Sequence, residues 1–228
     1  MGKFTIRQTS ADLPTFDEEA DLEPVSSLGA ESGLVSGFRF GHASVRALDL
    51  ANVRLMRGQV SALRAERASI TGVRIDSVEF TGCDLSSLWW MGGKLSRVRF
   101  DSCKLLGARF EGVTLEQVVF TGCKLDYATL GHVRAAGPVI FARCSLREVE
   151  FTGCHLAHCL FDDCDLNLAD FGPGSYRGCD LRGNDLSALS STRHLKHAVI
   201  DRAQMLQLAE ALAAELDLTC GDDLPGPP

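Results

Sequence analysis

The densest group of metal-ligand side chains in the sequence comprises Cys154, His155, His158, Cys159 and Cys164. Thiolate and imidazole are ligands that Zn²⁺ prefers, so this group raises the hypothesis of a metal site. The three cysteines, however, belong to a column of small residues that recurs every five residues and lies on successive sides of a turning chain. Zinc ligands must converge to about 2.3 Å from one ion, which such a column does not favour. We therefore predict no metal and interpret these thiols as small apolar core residues.

Other candidates for chemistry are weaker. His194 and His197 have the spacing of ligands on one helical turn, but no third ligand lies nearby in sequence, so we interpret them as surface residues. No nucleophile with a neighbouring base, glycine-rich phosphate loop or carboxylate pair at a recognisable spacing is present. The sequence therefore predicts a protein that is not an enzyme and that carries no cofactor.

The elements that position these side chains follow a period of five residues. Every fifth residue from Phe40 to Leu130 is apolar, and the same pattern runs from Phe141 to Leu186 after a slip of one residue. None of these 29 positions is charged. A period of five matches neither the 3.6 residues of a helical turn nor the alternation of a strand. It is typical of a solenoid, in which each short unit turns a corner and each coil stacks on the next.

The coil length can be read from residues that recur at a spacing of twenty, or twenty-one across the slip. Four units of five therefore make one coil, and the repeat predicts about seven coils. Strand-like stacking would place equivalent residues about 4.8 Å apart. The predicted core columns contain phenylalanines and, two residues before a leucine, cysteines: Phe80, Phe100, Phe120, Phe141 and Phe161, and Cys83, Cys103, Cys123, Cys144 and Cys164.

Individual units resemble those of the pentapeptide-repeat proteins, with a small residue, then Asp or Asn, then Leu or Phe. Examples are Cys83-Asp84-Leu85, Cys164-Asp165-Leu166, Ala169-Asp170-Phe171 and Cys179-Asp180-Leu181. The resemblance covers about residues 38–190. It implies an all-β solenoid, a right-handed quadrilateral β-helix whose Leu or Phe points to the axis.

The repeat divides the chain into four segments. Residues 1–37 form an acidic arm or cap, residues 38–198 form the pentapeptide-repeat β-helix, residues 199–218 contain a C-terminal helix, and residues 219–228 form a flexible tail. An uncapped solenoid end exposes strand edges, so both flanking segments are expected to cover an end.

The C-terminal helix is predicted over about 202–217. Asp201 and Gln204 have the spacing of a capping box at its start. Its apolar stripe either caps the last coil or also pairs with the same helix of a second chain, and the sequence leaves both alternatives open. The candidate dimer interface consists of Met205, Leu208, Leu212 and Leu216.

The formal charge of −7 is unevenly distributed. Residues 38–140 hold 14 Lys or Arg against 9 Asp or Glu, a formal charge of +5, and residues 141–198 hold 6 against 8, which gives −2. Residues 1–37 and 199–228 each have a formal charge of −5. The absence of a membrane span and of a secretory signal, together with unpaired cysteines, predicts a cytoplasmic location.

The resemblance also implies a function. Pentapeptide-repeat proteins of the quinolone-resistance type bind DNA gyrase or topoisomerase IV as a rod that mimics duplex DNA in width and negative surface, and they protect or modulate the enzyme. We therefore expect a type II topoisomerase partner. Because the repeat region is slightly basic, mimicry is expected to be local, at an acidic patch of the last coils. The candidate partner-binding residues are Asp162, Asp163, Asp165, Asp170, Asp180 and Asp185.

Two alternatives involve the basic first coils. A general protein-interaction scaffold could contact an unrelated partner through them, and direct binding of DNA is a lesser hypothesis. The arginines concerned are Arg46, Arg54, Arg57, Arg64, Arg67 and Arg74.

Overall fold

The computed structural model describes residues 2–16, 22–29 and 32–219. The chain forms a β-solenoid of about seven coils, as the five-residue period predicts, and in the described residues it carries a single C-terminal α-helix, as the capping-box spacing and apolar stripe predict. The strands are β1 Gly2–Ile6, β2 Thr9–Leu13, β3 Glu23–Pro24, β4 Leu34–Gly41, β5 Ser44–Ala51, β6 Arg54–Ser61, β7 Arg64–Thr71, β8 Arg74–Thr81, β9 Trp89–Met91, β10 Lys94–Asp101, β11 Arg109–Glu111, β12 Thr114–Thr121, β13 Thr129–Gly131, β14 Arg134–Ala135, β15 Val139–Ala142, β16 Glu150–Thr152, β17 Cys154–His155, β18 Cys159–Asp162, β19 Asp170–Phe171 and β20 Gly174–Ser175. The helix is α1, Gln204–Glu215, preceded by a short 3₁₀ turn at Thr192–His194.

Each coil has four walls, which we number by the inward residue of the coil that begins at Gly93. Leu95 lies on wall 1, Phe100 on wall 2, Leu105 on wall 3 and Phe110 on wall 4, and all four side chains are buried. Strands stack in parallel on the equivalent strands of neighbouring coils, so β10 pairs with β8 on one side and β12 on the other. Walls 1 and 2 share one sheet, and walls 3 and 4 share the other.

The chain turns the corner between walls 1 and 2 through a residue of left-handed conformation. Ser77, Arg97 and Gln117 occupy equivalent corners with φ of 57, 53 and 58°. A non-glycine residue adopts this conformation at a cost in free energy, and the cost recurs at each coil. The hydrogen-bonded strand ladders on either side of the corner offset it. The corner lets one eight-residue strand such as β10 cover two walls.

The phenylalanine side chains on the inner side of wall 2 form a continuous stack along the axis of the solenoid. Ring centroids from Phe80 to Phe161 are 4.8 Å apart at every step, and the ring planes differ by at most 10°. Such small rotations mean that successive coils lie almost directly over one another, so this part of the rod is nearly straight. About seven coils at this rise give a length on the order of 35 Å.

The slip in the repeat is absorbed by one extra residue between two strands. β12 pairs with β14 through Leu115 and Ala135, a separation of twenty residues, and with β15 through Val118 and Val139, a separation of twenty-one. The extra residue therefore lies between Ala135 and Val139, and the ladder resumes in register after it.

The first coil is covered by residues 22–29. β3 pairs in parallel with β4, and the Val25 N–H donates to the Arg39 carbonyl at 2.9 Å. Leu22 and Leu28 are buried, so this segment supplies both strand partners and apolar cover to an end that would otherwise be open.

The last coil is closed by side chains of α1. The buried Gln204 amide donates to the Leu181 and Asn184 carbonyls at 2.9 and 2.7 Å, and its oxygen accepts the Asp201 N–H at 2.7 Å. Only this half of the predicted capping box forms, because the Asp201 carboxylate accepts the Gly183 N–H instead. Side chains thus satisfy backbone groups that no further coil pairs.

Candidate partner-binding surfaces

The side chains of the cysteine and histidine group do not converge on one point. Cys154, Cys159 and Cys164 point inward from three successive walls, and all three are free, buried thiols. Burial raises the pKa of Cys154 to about 11 and also raises the pKa of Cys159 well above its usual value, so these two thiols stay protonated at neutral pH. Across the described residues, no three His, Cys, Asp or Glu side chains are grouped as metal ligands. The inward column of small residues accounts for the five-residue spacing of the cysteines, and the histidines lie outside that column.

Wall 2 is covered from outside by a hairpin that sequence reasoning did not predict. β1 and β2 pair antiparallel, and β2 lies against β10, β12 and β15. On most outward positions of the solenoid the residues are polar, whereas Val119, Ile140, Ala142 and Leu160 form an apolar strip on wall 2. Ala11 and Leu13 of the hairpin bury this strip in a second, external core.

Polar contacts anchor the hairpin at its turn. The Arg7 guanidinium contacts the Asp162 carboxylate at 2.9 Å and the Asp180 carboxylate at 3.3 Å, and it donates to the Arg182 carbonyl at 2.7 Å. At the other end of β2, the Asp12 N–H donates to the Gln117 amide oxygen at 2.8 Å. The hairpin therefore runs along wall 2 from the middle coils to the last ones.

The anchor changes the electrostatics of the aspartates beneath it. Asp180 is only 8% exposed. Burial opposes its ionisation, but hydrogen bonds from Arg182 and the attraction of Arg7 outweigh burial and hold the pKa of Asp180 below its usual value. Asp162 shares Arg7, so these two carboxylates are engaged within the chain.

The six candidate aspartates do not lie on one surface. Asp162, Asp163 and Asp180 belong to wall 2 or its corner, Asp165 and Asp185 to wall 3, and Asp170 to wall 4. They spread because each step of five residues turns the chain onto the next wall. Of the six, Asp163, Asp165 and Asp185 are exposed.

Helix α1 uses one face to pack and leaves another open. Ala211 and Gln204 are buried, and Leu208 packs against the solenoid core. Leu208 is therefore part of the cap and not of an open stripe. The other members of the predicted dimer interface remain exposed: Met205, Leu212 and Leu216.

Basic residues form a column on the outside of wall 1. β6, β8 and β10 place Arg54, Arg74 and Lys94 directly in register, and Arg134 follows one coil after Thr114. Sequence reasoning singled out Arg54 and Arg74 only as members of a scattered group of six. The spacing of twenty residues was the signal that could have placed them on one wall.

The repeat geometry agrees with comparison to known families. Residues 93–171 match the family model described as a pentapeptide repeat region. This chain carries a pentapeptide repeat region. The same parallel ladder extends on both sides of the matched segment, through β4 to β8 before it and through Asp180 after it.

Two solved structures are among those similar to this chain. A trypsin-treated form of QnrB1, a plasmid-mediated fluoroquinolone resistance protein, is 18% identical, with 78% of this chain and 100% of that chain covered and a TM-score of 0.44. HetL, a pentapeptide repeat protein involved in heterocyst differentiation regulation from the cyanobacterium Nostoc sp., is 15% identical, with 76% and 89% covered and a TM-score of 0.23. A search of curated proteins found no match.

Within the described residues, no helix has the length and apolar content needed to cross a membrane.

Proposed function

We propose that this chain is a non-enzymatic interaction protein that binds a type II DNA topoisomerase, gyrase or topoisomerase IV, and protects or modulates it. The observation that carries the proposal is the distribution of carboxylates around the last coils. Asp163, Asp165 and Asp185 are exposed at the corner of wall 2 and on wall 3, and the half-buried Asp170 lies on wall 4. Duplex DNA is likewise a straight rod that is negative around its circumference. A groove built to hold DNA is complementary to such an end.

The hairpin narrows the proposed contact surface. Because Arg7 engages Asp162 and Asp180 and β2 covers the strip beside them, wall 2 is occupied while the hairpin is docked. The partner is therefore assigned to the exposed carboxylates Asp163, Asp165 and Asp185, at the corner of wall 2 and on wall 3, with the half-buried Asp170 beside them on wall 4. Mimicry of DNA is restricted to this end, since residues 38–140 carry a formal charge of +5.

A supercoiling assay tests the proposal. Purified topoisomerase is assayed with and without a quinolone, in the presence of the wild-type chain or of the double variant Asp163→Asn, Asp165→Asn. We expect the wild type to alter supercoiling or drug inhibition and the variant to need a higher concentration for the same effect. Asp163 has a φ of 51°, a conformation that Asn tolerates, so the substitution preserves the corner.

A matched control removes two exposed carboxylates from the basic half of the rod. The variant Asp49→Asn, Glu66→Gln changes the net charge by the same amount and lies on walls 3 and 4 of the first coils. It is expected to behave as the wild type does. If the wild-type chain has no effect on the enzyme, or if both double variants lose activity equally, the assignment to the last coils is wrong.

We further propose that the chain forms a homodimer through the open face of α1. Met205 is 61% exposed, and with Leu212 and Leu216 it forms an apolar stripe beside the face that caps the solenoid. Pairing two such stripes would bury them and would bring two acidic ends together. Light scattering after gel filtration is expected to give twice the chain mass for the wild type and the monomer mass for Leu212→Glu. A monomeric wild type at high micromolar concentration would contradict this pairing.

A further inference from the structure

The basic column on wall 1 has a geometry that a linear polyanion can follow. Arg54, Arg74 and Lys94 are in register on adjacent strands, and Arg134 lies two coils beyond Lys94. The four coil steps from Arg54 to Arg134 correspond to about 19 Å at the spacing of paired strands. His155 continues the column in register with Arg134.

Carboxylates do not neutralise this column evenly. Of the two acids beside it on wall 1, Glu116 pairs with Lys94 of the column at 2.5 Å, whereas Asp76 pairs with Arg97 outside the column. Within the described part of the chain, Arg54 and Arg74 make no ion pair. Like charges directly opposite on neighbouring strands destabilise a sheet, so the fold tolerates a repulsion here that a bound anion would relieve.

An aromatic side chain stands just beyond the same edge of the rod. Trp89 lies on wall 4, is 54% exposed, and is in register with Arg109. The corner between wall 4 and wall 1 is glycine at Gly92 and Gly112, both with positive φ, and no other heavy atom lies within 4 Å of where a Cβ would be. Because these glycines have no side chain, only backbone separates Trp89 from the basic column at this corner.

We propose that wall 1 and this glycine edge bind single-stranded nucleic acid, with phosphates along the basic column and a base stacked on Trp89. Proteins that bind single strands combine a basic track for the backbone with an aromatic platform, since every base offers a π-face. Guanidinium groups suit phosphate because they donate two parallel hydrogen bonds to it. An acidic peptide would use the charges of the column but would have no base to stack on Trp89. This proposal concerns wall 1 and its glycine edge, whereas the topoisomerase contact is centred on the corner of wall 2 and on wall 3, and it does not depend on that contact.

Fluorescence anisotropy with labelled DNA and RNA oligonucleotides tests the proposal on the full chain alone. If Arg54, Arg74 and Arg134 each neutralise one phosphate, the logarithm of the association constant should fall with the logarithm of salt concentration with a slope of about −2 for a single strand. The double variant Arg54→Gln, Arg74→Gln should make the slope shallower by about 1.4. The matched control Arg143→Gln, Arg177→Gln removes two exposed arginines of the later coils and should leave the slope unchanged.

Substitution of Trp89 gives a second measurement, one that tests base stacking and not charge. Trp89→Ala should weaken binding about 5- to 150-fold, the range for loss of one stacked base, with the salt slope unchanged. Thermal unfolding separates binding from folding. Because the repulsion between Arg54 and Arg74 is removed, the arginine variant should unfold at the wild-type temperature or above it.

Several outcomes would overturn the proposal. One is the absence of salt-dependent binding to single strands at low ionic strength. Another is equal competition by polyglutamate together with no effect of Trp89→Ala, which would identify an acidic protein as the ligand class. Preferential binding to vesicles of phosphatidylcholine and phosphatidylserine over the oligonucleotide would assign the column to a lipid surface.

Discussion

Truncation of Ile140 should release the N-terminal hairpin while leaving the solenoid folded. Ile140 and Phe141 are neighbours on β15, but Phe141 points into the axial stack and Ile140 points outward into the external core. Ile140 is fully buried, and its cover in that core is the hairpin side chains. Ile140→Ala therefore acts on the docking of β1 and β2 and not on the stacking of coils.

The magnitude follows from the size of the cavity that the change leaves. Replacement of a buried Ile by Ala costs about 2–5 kcal/mol. We expect the lower end, about 2 kcal/mol, because a surface hairpin can settle onto the smaller side chain. That figure corresponds to about a 30-fold increase in the population of the undocked hairpin. The polar contacts of Arg7 remain in the variant and limit the loss.

Hydrogen exchange followed by mass spectrometry measures this loss segment by segment. Peptides from residues 2–13 should exchange about 30-fold faster in Ile140→Ala, while peptides from β8, β10 and β12 keep their protection. Ile140→Val should show a smaller effect, since it costs about 0.5–1.5 kcal/mol. Phe141→Leu is the matched control on the inner face, and it should reduce the protection of the coils. Unchanged exchange of residues 2–13 in Ile140→Ala, or equal loss throughout the chain, would refute the external core.

Three further predictions concern stability and reactivity. Gly58→Ala should lower the free energy of unfolding by about 1–3 kcal/mol, because a Cβ there would lie 2.2 Å from the Phe38 ring, and Phe38→Leu in the same chain should recover part of the loss in chemical denaturation. The pKa of Asp180 is lowered in the folded chain, so its contribution to hairpin docking is complete above the usual aspartate pKa of about 3.9 and is lost as the pH falls through the lowered value. Hydrogen exchange at fixed ionic strength should therefore show that the protection of residues 2–13 decreases only below about pH 4. The eight described thiols should not react with a thiol reagent in the native chain and should all react in denaturant, since they are buried and burial raises the pKa of Cys159; rapid native labelling of Cys159 would contradict the packed column.

The axial interior could be predicted from the sequence because it repeats. The phenylalanines from Phe80 to Phe161 recur at a fixed spacing. When the same residue occupies the same inward position in each coil, its side chains stack on one another along the axis. The slip near Val139 could also be read, since the pattern resumes after it. Because the same pattern of inward apolar residues recurs in many units, a single irregular unit does not hide it.

The outer surface could not be predicted in the same way. Ile140 and Leu160 interrupt the outward polar positions, but nothing local indicates that residues 2–13 cover them, since the two segments are more than a hundred residues apart. The aspartates were predicted as one patch because they are close in sequence. In a solenoid, neighbours in sequence lie on different walls, while residues twenty apart lie side by side. Arg54 and Arg74 illustrate the second case.

Competition with duplex DNA for a type II topoisomerase tests the central claim most directly. The enzyme is held with a labelled DNA segment, and the chain is titrated in as wild type, as Asp163→Asn, Asp165→Asn, and as Asp49→Asn, Glu66→Gln. We expect the wild type and the second variant to displace the DNA at similar concentrations and the first variant to require a higher concentration, with the difference shrinking as salt is added. Failure of the wild-type chain to displace DNA from the enzyme, or displacement that does not depend on Asp163 and Asp165, would contradict it.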